Sequence, residues 1–232
     1  MQPSLPADAP RIRRAGPDDA DSWVRTYLDA LAATYSTLLP PEFLAQQRAR
    51  ACELVERYRS VFTAQRADSH RSHRAWYAED ALGAVGIVEV RTGPSGWELD
   101  RGLPPPGPRC QLVKLYTLPR AHGTGLGQAL LDTAIGTDSA YLWIMAGNPR
   151  AEAFYRRNRF VPDGLATEAG PTWFHRAMFR MHRTGPAPAR SVREGEVRGV
   201  VARKKGDPAA VGTVVPDLDV ADQAQDGGCG RT

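Results

Sequence analysis

Leu115-Tyr116-Thr117-Leu118-Pro119-Arg120-Ala121-His122-Gly123-Thr124-Gly125-Leu126-Gly127-Gln128-Ala129-Leu130-Leu131 joins an apolar, β-prone run to an amphipathic helix through a glycine-rich turn. Pro119 closes the strand, because proline has no N–H to give to a sheet ladder. Glycines at 123, 125 and 127 permit positive φ and a close approach of the backbone to a ligand. The free N–H groups of the first helical turn, with the positive end of the helix dipole, then form an anion site over His122, Gly123, Thr124, Gly125, Leu126, Gly127 and Gln128. A phosphate or pyrophosphate is the guest this predicts.

Three phosphate-binding patterns compete for the turn. A Walker A loop ends in Gly-Lys-Ser/Thr, and no lysine follows Gly127. A dinucleotide fingerprint needs Gly-x-Gly-x-x-Gly and an acidic residue after a second strand. Here the spacing is Gly-x-Gly-x-Gly, and Asp138 precedes the next apolar run instead of ending it. The third pattern fits. Arg120-Ala121-His122-Gly123-Thr124-Gly125 resembles the Gln/Arg-x-x-Gly-x-Gly/Ala signature of the GNAT superfamily of N-acetyltransferases, and Leu115 to Pro119 resembles the family's fourth strand. A second match, Leu142-Trp143-Ile144-Met145-Ala146-Gly147-Asn148-Pro149-Arg150-Ala151-Glu152-Ala153-Phe154-Tyr155 and on to Phe160, is similar to the family's next strand, Asn-x-x-Ala loop and Phe-Tyr helix. Trp23 to Leu44, with Tyr35 and the Leu38-Leu39-Pro40-Pro41-Glu42-Phe43-Leu44 run, resembles the first helix pair of many small bacterial members. The three matches follow the family's order and spacing over about residues 11–182.

The resemblance implies an α/β (α+β) fold, the GNAT acyl-CoA N-acyltransferase fold. Its sheet is mixed, mostly antiparallel, splayed at the central strands and flanked by helices. It implies acetyl-CoA as co-substrate, no metal, and direct attack of a primary amine on the thioester. The pantetheine arm is expected along the strand edge at Tyr116, Thr117 and Leu118, where a backbone N–H meets the developing oxyanion. Tyr155 holds the family's tyrosine position and is the expected general acid toward the leaving thiolate. Asn148 is expected to bind the pantetheine or to cap the following helix. Many members place a glutamate where this chain has Gln111, which accepts no proton. Glu89 and Glu79, on neighbouring strands, are the expected substitutes, acting through water, unless the amine arrives neutral. Tyr27, Tyr35, Tyr116 and Trp173 are the candidate acceptor-lining residues. Arg159 stands where the family has glycine, and Asn158 is expected to take the left-handed turn instead.

Composition narrows the functional classes. The 30 basic residues exceed the 26 acidic by four, too mild and too scattered a surplus for nucleic acid. Arg150, Arg156, Arg157 and Arg159 cluster locally, either as a solvated helix face or as an attraction for ligand phosphates. Cys52, Cys110 and Cys229 suggest neither a metal site nor a disulfide framework. Met1 to Pro10 lacks the pattern of a secretory leader, no apolar run is long enough to span a membrane, and a cytoplasmic enzyme is expected. Residues 1–10 read as a flexible N-terminus, 11–182 as the N-acetyltransferase domain and 183–232 as a disordered tail dispensable for chemistry. Inside the domain, Gly93 to Pro108 reads as a long loop, Glu42 to Phe62 as one helix, and Phe160-Val161 with Trp173 through Met181 as a closing antiparallel pair. A small-molecule amine is the expected acceptor, and a homodimer is left open. A protein N-terminal or lysine acetyltransferase, or a non-catalytic acyl-CoA-binding regulator, are the alternatives.

Overall fold

Alternate side chains of the run before Pro119 face opposite sides of a mixed sheet, with apolar residues on both, which is the pattern of a central strand. The computed structural model describes residues 10–67, 72–185 and 212–213. Its strands are β1 (Arg11–Arg14), β2 (His73–Asp80), β3 (Gly83–Thr92), β4 (Cys110–Thr117), β5 (Ala140–Met145), β6 (Val161–Glu168), β7 (Ala177–Arg183) and β8 (Gly212–Thr213). Spatial order is β1-β2-β3-β4-β5-β7-β6, with β8 on β4. Every pairing is antiparallel except that of β4 with β5.

That exception shapes the molecule. β4 and β5 share one register pair, Gln111 with Tyr141, and diverge beyond it. On its other side β4 pairs with β3 through a bulge, where the register slips between Glu89 and Val90 and leaves Val113 as the extra residue. A bulge bends its strand and increases the local twist, which turns the far end of β4 away from β5.

Helices cover both faces. α1 (Ala20–Tyr35), α2 (Pro41–Ala49), α3 (Ala51–Ala67) and the short α4 (Gly96–Asp100) contribute to one apolar layer, which contains Trp23, Tyr27, Tyr58, Phe62, Tyr116 and Trp143. α5 (Leu126–Ile135) and α6 (Pro149–Arg157) contribute to the other, with Leu112, Leu115, Leu130, Leu131, Phe154 and Tyr155. Each fully buried aliphatic or aromatic side chain contributes about 1.5–3 kcal/mol relative to exposure. α5 approaches the sheet over Gly86, where a Cβ would lie 2.9 Å from a Leu130 methyl and 3.2 Å from the Tyr116 carbonyl oxygen.

The structure revises four local expectations. The single helix over 42–62 is two, broken at Arg50, and nothing in the local sequence accounts for the break. The loop 93–108 carries α4, capped by a Ser95–Glu98 box. Trp173 ends a 3₁₀ turn, and left-handed φ values at Phe174 (53°) and His175 (52°) delay β7 to Ala177. Arg159, not Asn158, takes the left-handed turn, at φ 65°. Asn158 instead donates to the Phe154 carbonyl and accepts from Gln128, which ties the end of α6 to α5. The left-handed arginine costs roughly 1–2 kcal/mol. Most of 183–232 lies outside the described residues, as do residues 1–9.

Candidate active site

The glycine-rich turn is held from both sides. Arg120 donates to the Asp80 carboxylate and to the Gly83 and Ala84 carbonyls, which staples the turn to the β2–β3 hairpin. His122 Nε2 lies 3.2 Å from the Thr117 carbonyl oxygen, and its Nδ1 is 3.1 Å from an Arg150 nitrogen. An arginine can only donate and a carbonyl can only accept, so these contacts select the neutral ring with its proton on Nε2. Burial and the Arg150 charge hold the His122 pKa below its ordinary value. Gly125, at φ 88°, is the N-cap of α5. Thr124 Oγ1 accepts from the Leu126 N–H, and the helical ladder begins with Ala129 N–H donating to Gly125. The N–H groups of Gly127 and Gln128 are among the orphan donors of this first turn. The loop therefore has the geometry of an anion cradle, and His122 serves it as a strut.

The wedge between β4 and β5 is the second part of the site. Asn148 caps α6, accepting from the Ala151 N–H at 3.1 Å, and its Nδ2 has no hydrogen-bond partner. The hydroxyls of Tyr155 and Tyr35 are likewise buried without a partner. Burial and the neighbouring Tyr35 push the Tyr155 pKa well above the ordinary phenol value. Burial also raises Tyr35, against lowering contributions from Tyr116 and Asn148 beside it. Tyr155 belongs to the layer under α5 and α6, whereas Tyr35 and Tyr116 belong to the layer under α1. These side chains therefore meet through the opening in the sheet. Orphaned buried polar groups are uncommon, each costing about 1–3 kcal/mol. Three around one opening fit a polar ligand threaded between the strands.

Glu89 occupies a different setting. Its carboxylate accepts from the Tyr58 hydroxyl at 3.1 Å, lies 2.8 Å from His73 Nε2 and ion-pairs with Lys114 Nζ at 3.4 Å. Lys114 is 1% exposed and stands over the rings of Tyr27 and Tyr58. Burial would raise the Glu89 pKa, but Lys114, His73 and Arg57 together hold it far below the carboxylate range. Such a carboxylate is a poor proton acceptor, so the geometry does not suit the expected base role. It makes Glu89 the counter-charge of Lys114.

Gln111 also has a partner the sequence did not announce. It donates to Glu98 at 3.0 Å and accepts from the Ser95 hydroxyl at 2.9 Å. The Glu98 carboxylate further accepts from Tyr141, from the Trp143 indole and from the Ser95 N–H. The loop thus returns a carboxylate to the strand position that carries glutamine. Four donors saturate it, at the apex where β4 and β5 still touch. A Ser-x-x-Glu box in the loop was the one available signal.

The four acceptor candidates lie on the α1 face and pack on one another. Tyr27 meets Tyr116 with ring centroids 5.5 Å apart, and Tyr35 meets Trp173 at the same separation, 5.5 Å. None is more than 1% exposed. Tyr35 and Tyr116 flank the wedge, whereas Trp173 also packs on Phe43 at 4.8 Å and closes the layer over α2. Among the described residues, no group of three or more His, Cys, Asp or Glu is arranged to hold a metal, and no helix is long and apolar enough to cross a membrane.

β4 and β5 diverge beyond one register pair, and a glycine-rich helix N-terminus follows β4; comparison with known proteins supplies the family. Residues 32–160, more than half of the chain, match the acetyltransferase (GNAT) family. The chain belongs to this family and is an acetyl-CoA-dependent N-acetyltransferase. The PaiA N-acetyltransferase of Thermoplasma acidophilum, solved in complex with coenzyme A, is similar at a TM-score of 0.55 and 14% identity, over 76% of this chain and 99% of its own. A ribosomal-protein-alanine N-acetyltransferase from Brucella melitensis gives 0.51 and 18%, over 75% and 99%. A GNAT-family acetyltransferase from Streptococcus pneumoniae gives 0.50 and 20%, over 75% and 98%. At these identities the likeness is one of fold. No curated protein gives a match.

Proposed function

We propose that the enzyme acetylates the primary amine of a small molecule, in the cytoplasm, a setting in keeping with a chain that has only three cysteines. The observation that carries this reading is the trio of orphaned polar groups, Tyr35, Asn148 and Tyr155, at the opening between β4 and β5. When bound, acetyl-CoA supplies an acetyl group activated as a thioester. The Gly123–Gln128 backbone holds its pyrophosphate, and the β4 edge at Tyr116, Thr117 and Leu118 pairs with its extended arm. Asn148 Nδ2 donates to that arm. A β4 backbone N–H stabilises the developing oxyanion, and Tyr155 keeps its proton for the departing sulfur. Tyr35 and Tyr116 wall the acceptor side, while Tyr27 and Trp173 hold those walls in place. A wall this closed favours a compact amine over a polypeptide segment.

The test is amine-dependent release of the CoA thiol across a panel of small amines and amino-terminal peptides. Turnover confined to small amines is the expected result; turnover with peptides alone would sink the small-molecule reading. The pH profile is a separate check. With Glu89 engaged by Lys114, Glu98 engaged by four donors and Gln111 unable to accept a proton, we infer that no carboxylate among these acts as base and that the proton of the attacking amine leaves to water. We expect kcat/KM to climb with pH through the neutral range, tracking the free-amine fraction of whichever acceptor is used. A plateau whose midpoint stays fixed when the acceptor is changed would point to a protein base and contradict this.

A further inference from the structure

Beyond Gln111, β4 turns its outer edge away from β5, and a bare edge in the middle of a sheet is a template for any extended chain. The protein fills it with its own C-terminal region. β8 runs antiparallel to β4, with Thr213 opposite Leu115 and Gly212 opposite Tyr116. The same two residues approach β5 and α1. Neighbours on three elements place β8 inside the wedge, not on an outer margin of the sheet. The local sequence suits the position. Val211, Thr213, Val214 and Val215 are β-branched, and Pro216 closes the run.

We propose that the segment at Gly212–Thr213 is an intramolecular competitor of the acyl-CoA donor, seated on the β4 edge that the pantetheine arm requires. The proposal rests on the assignment of the wedge as the donor site. One strand edge has one set of outward N–H and C=O groups, so it pairs with the peptide or with the donor but not with both. The segment is tethered to β7 by the same chain, so it competes at a high effective concentration without needing strong contacts. A long connection adds little to this closure cost, which grows only with the logarithm of its length.

The experiment is calorimetric titration of CoA into the full-length protein and into two full-length variants, Gly212→Pro and Thr213→Pro. Proline removes a ladder N–H and is excluded from interior strands. Thr213→Val, which keeps strand propensity, is the control. We expect both proline variants to bind CoA at least threefold more tightly, the factor that follows if the segment holds the edge for more than about two-thirds of the time. The control should bind like the wild type, and kcat at saturating donor and amine should not change. Unchanged or weaker binding in both proline variants would overturn the proposal while the donor site stands. Absence of CoA binding in the wild type and in every variant would instead overturn the donor-site assignment, and the proposal with it.

Discussion

Tyr155→Phe is expected to lower kcat by about 10²-fold or more, the scale on which positioned general acids act, while CoA affinity and Tm hold or Tm rises slightly. The opposite signs follow from one atom. The Tyr155 hydroxyl is buried with no hydrogen-bond partner, so its removal relieves an unmet polar group and leaves the ring packed against Phe154 and Phe160. Its raised pKa keeps the proton in place through the neutral range. Steady-state kinetics beside a thermal melt decides the matter. Unchanged kcat with an unchanged or raised Tm would reduce Tyr155 to packing.

Glu89→Ala is expected to destabilise the fold by about 3–5 kcal/mol, because it strands the Lys114 ammonium in the interior. For a domain of this size that corresponds to a fall in Tm of roughly 10 °C. The pH dependence has a definite sign. A carboxylate held below its ordinary range stabilises the fold above the unfolded-state value, about 4.3 for glutamate, and that stabilisation is lost as pH falls through the folded value. Removing both charges with Glu89→Ala and Lys114→Met together should recover much of the loss, giving a non-additive double-mutant cycle with the two single variants. A Glu89→Ala penalty below about 1 kcal/mol, the scale of exposed pairs, would show that the pair is not buried as described.

The parts of the site that local chain geometry dictates were legible in the sequence. Gly123 and Gly125 mark positive φ, Pro119 ends β4, and Asn148 before Pro149 marks a helix cap, because each effect acts within a few residues. The Gln111–Glu98 pairing was not legible, since it depends on a loop folding back across 13 positions onto the strand. Glu89 looked like a spare carboxylate because its partner Lys114 is fixed only by the β3–β4 register and its bulge. The two-residue β8 was hidden for a related reason. A dipeptide carries no periodicity, and only the divergence of β4 from β5 gives it a place to pair. Arg159 shows the converse: the sequence flagged a strained position, and the fold kept the arginine there.

The burial of Lys114 also bears on which amines the enzyme presents to its own chemistry. Of the 30 basic residues only three are lysines, Lys114, Lys204 and Lys205. The other 27 are arginines, whose guanidinium stays protonated and is no nucleophile near neutral pH. Lys114 is the sole lysine among the described residues, and it is sealed beside Glu89 beneath two tyrosine rings. The described domain therefore carries its positive charge in a form that an acetyl donor does not consume. The two other lysines of the sequence form one adjacent pair, seven and eight residues ahead of Gly212.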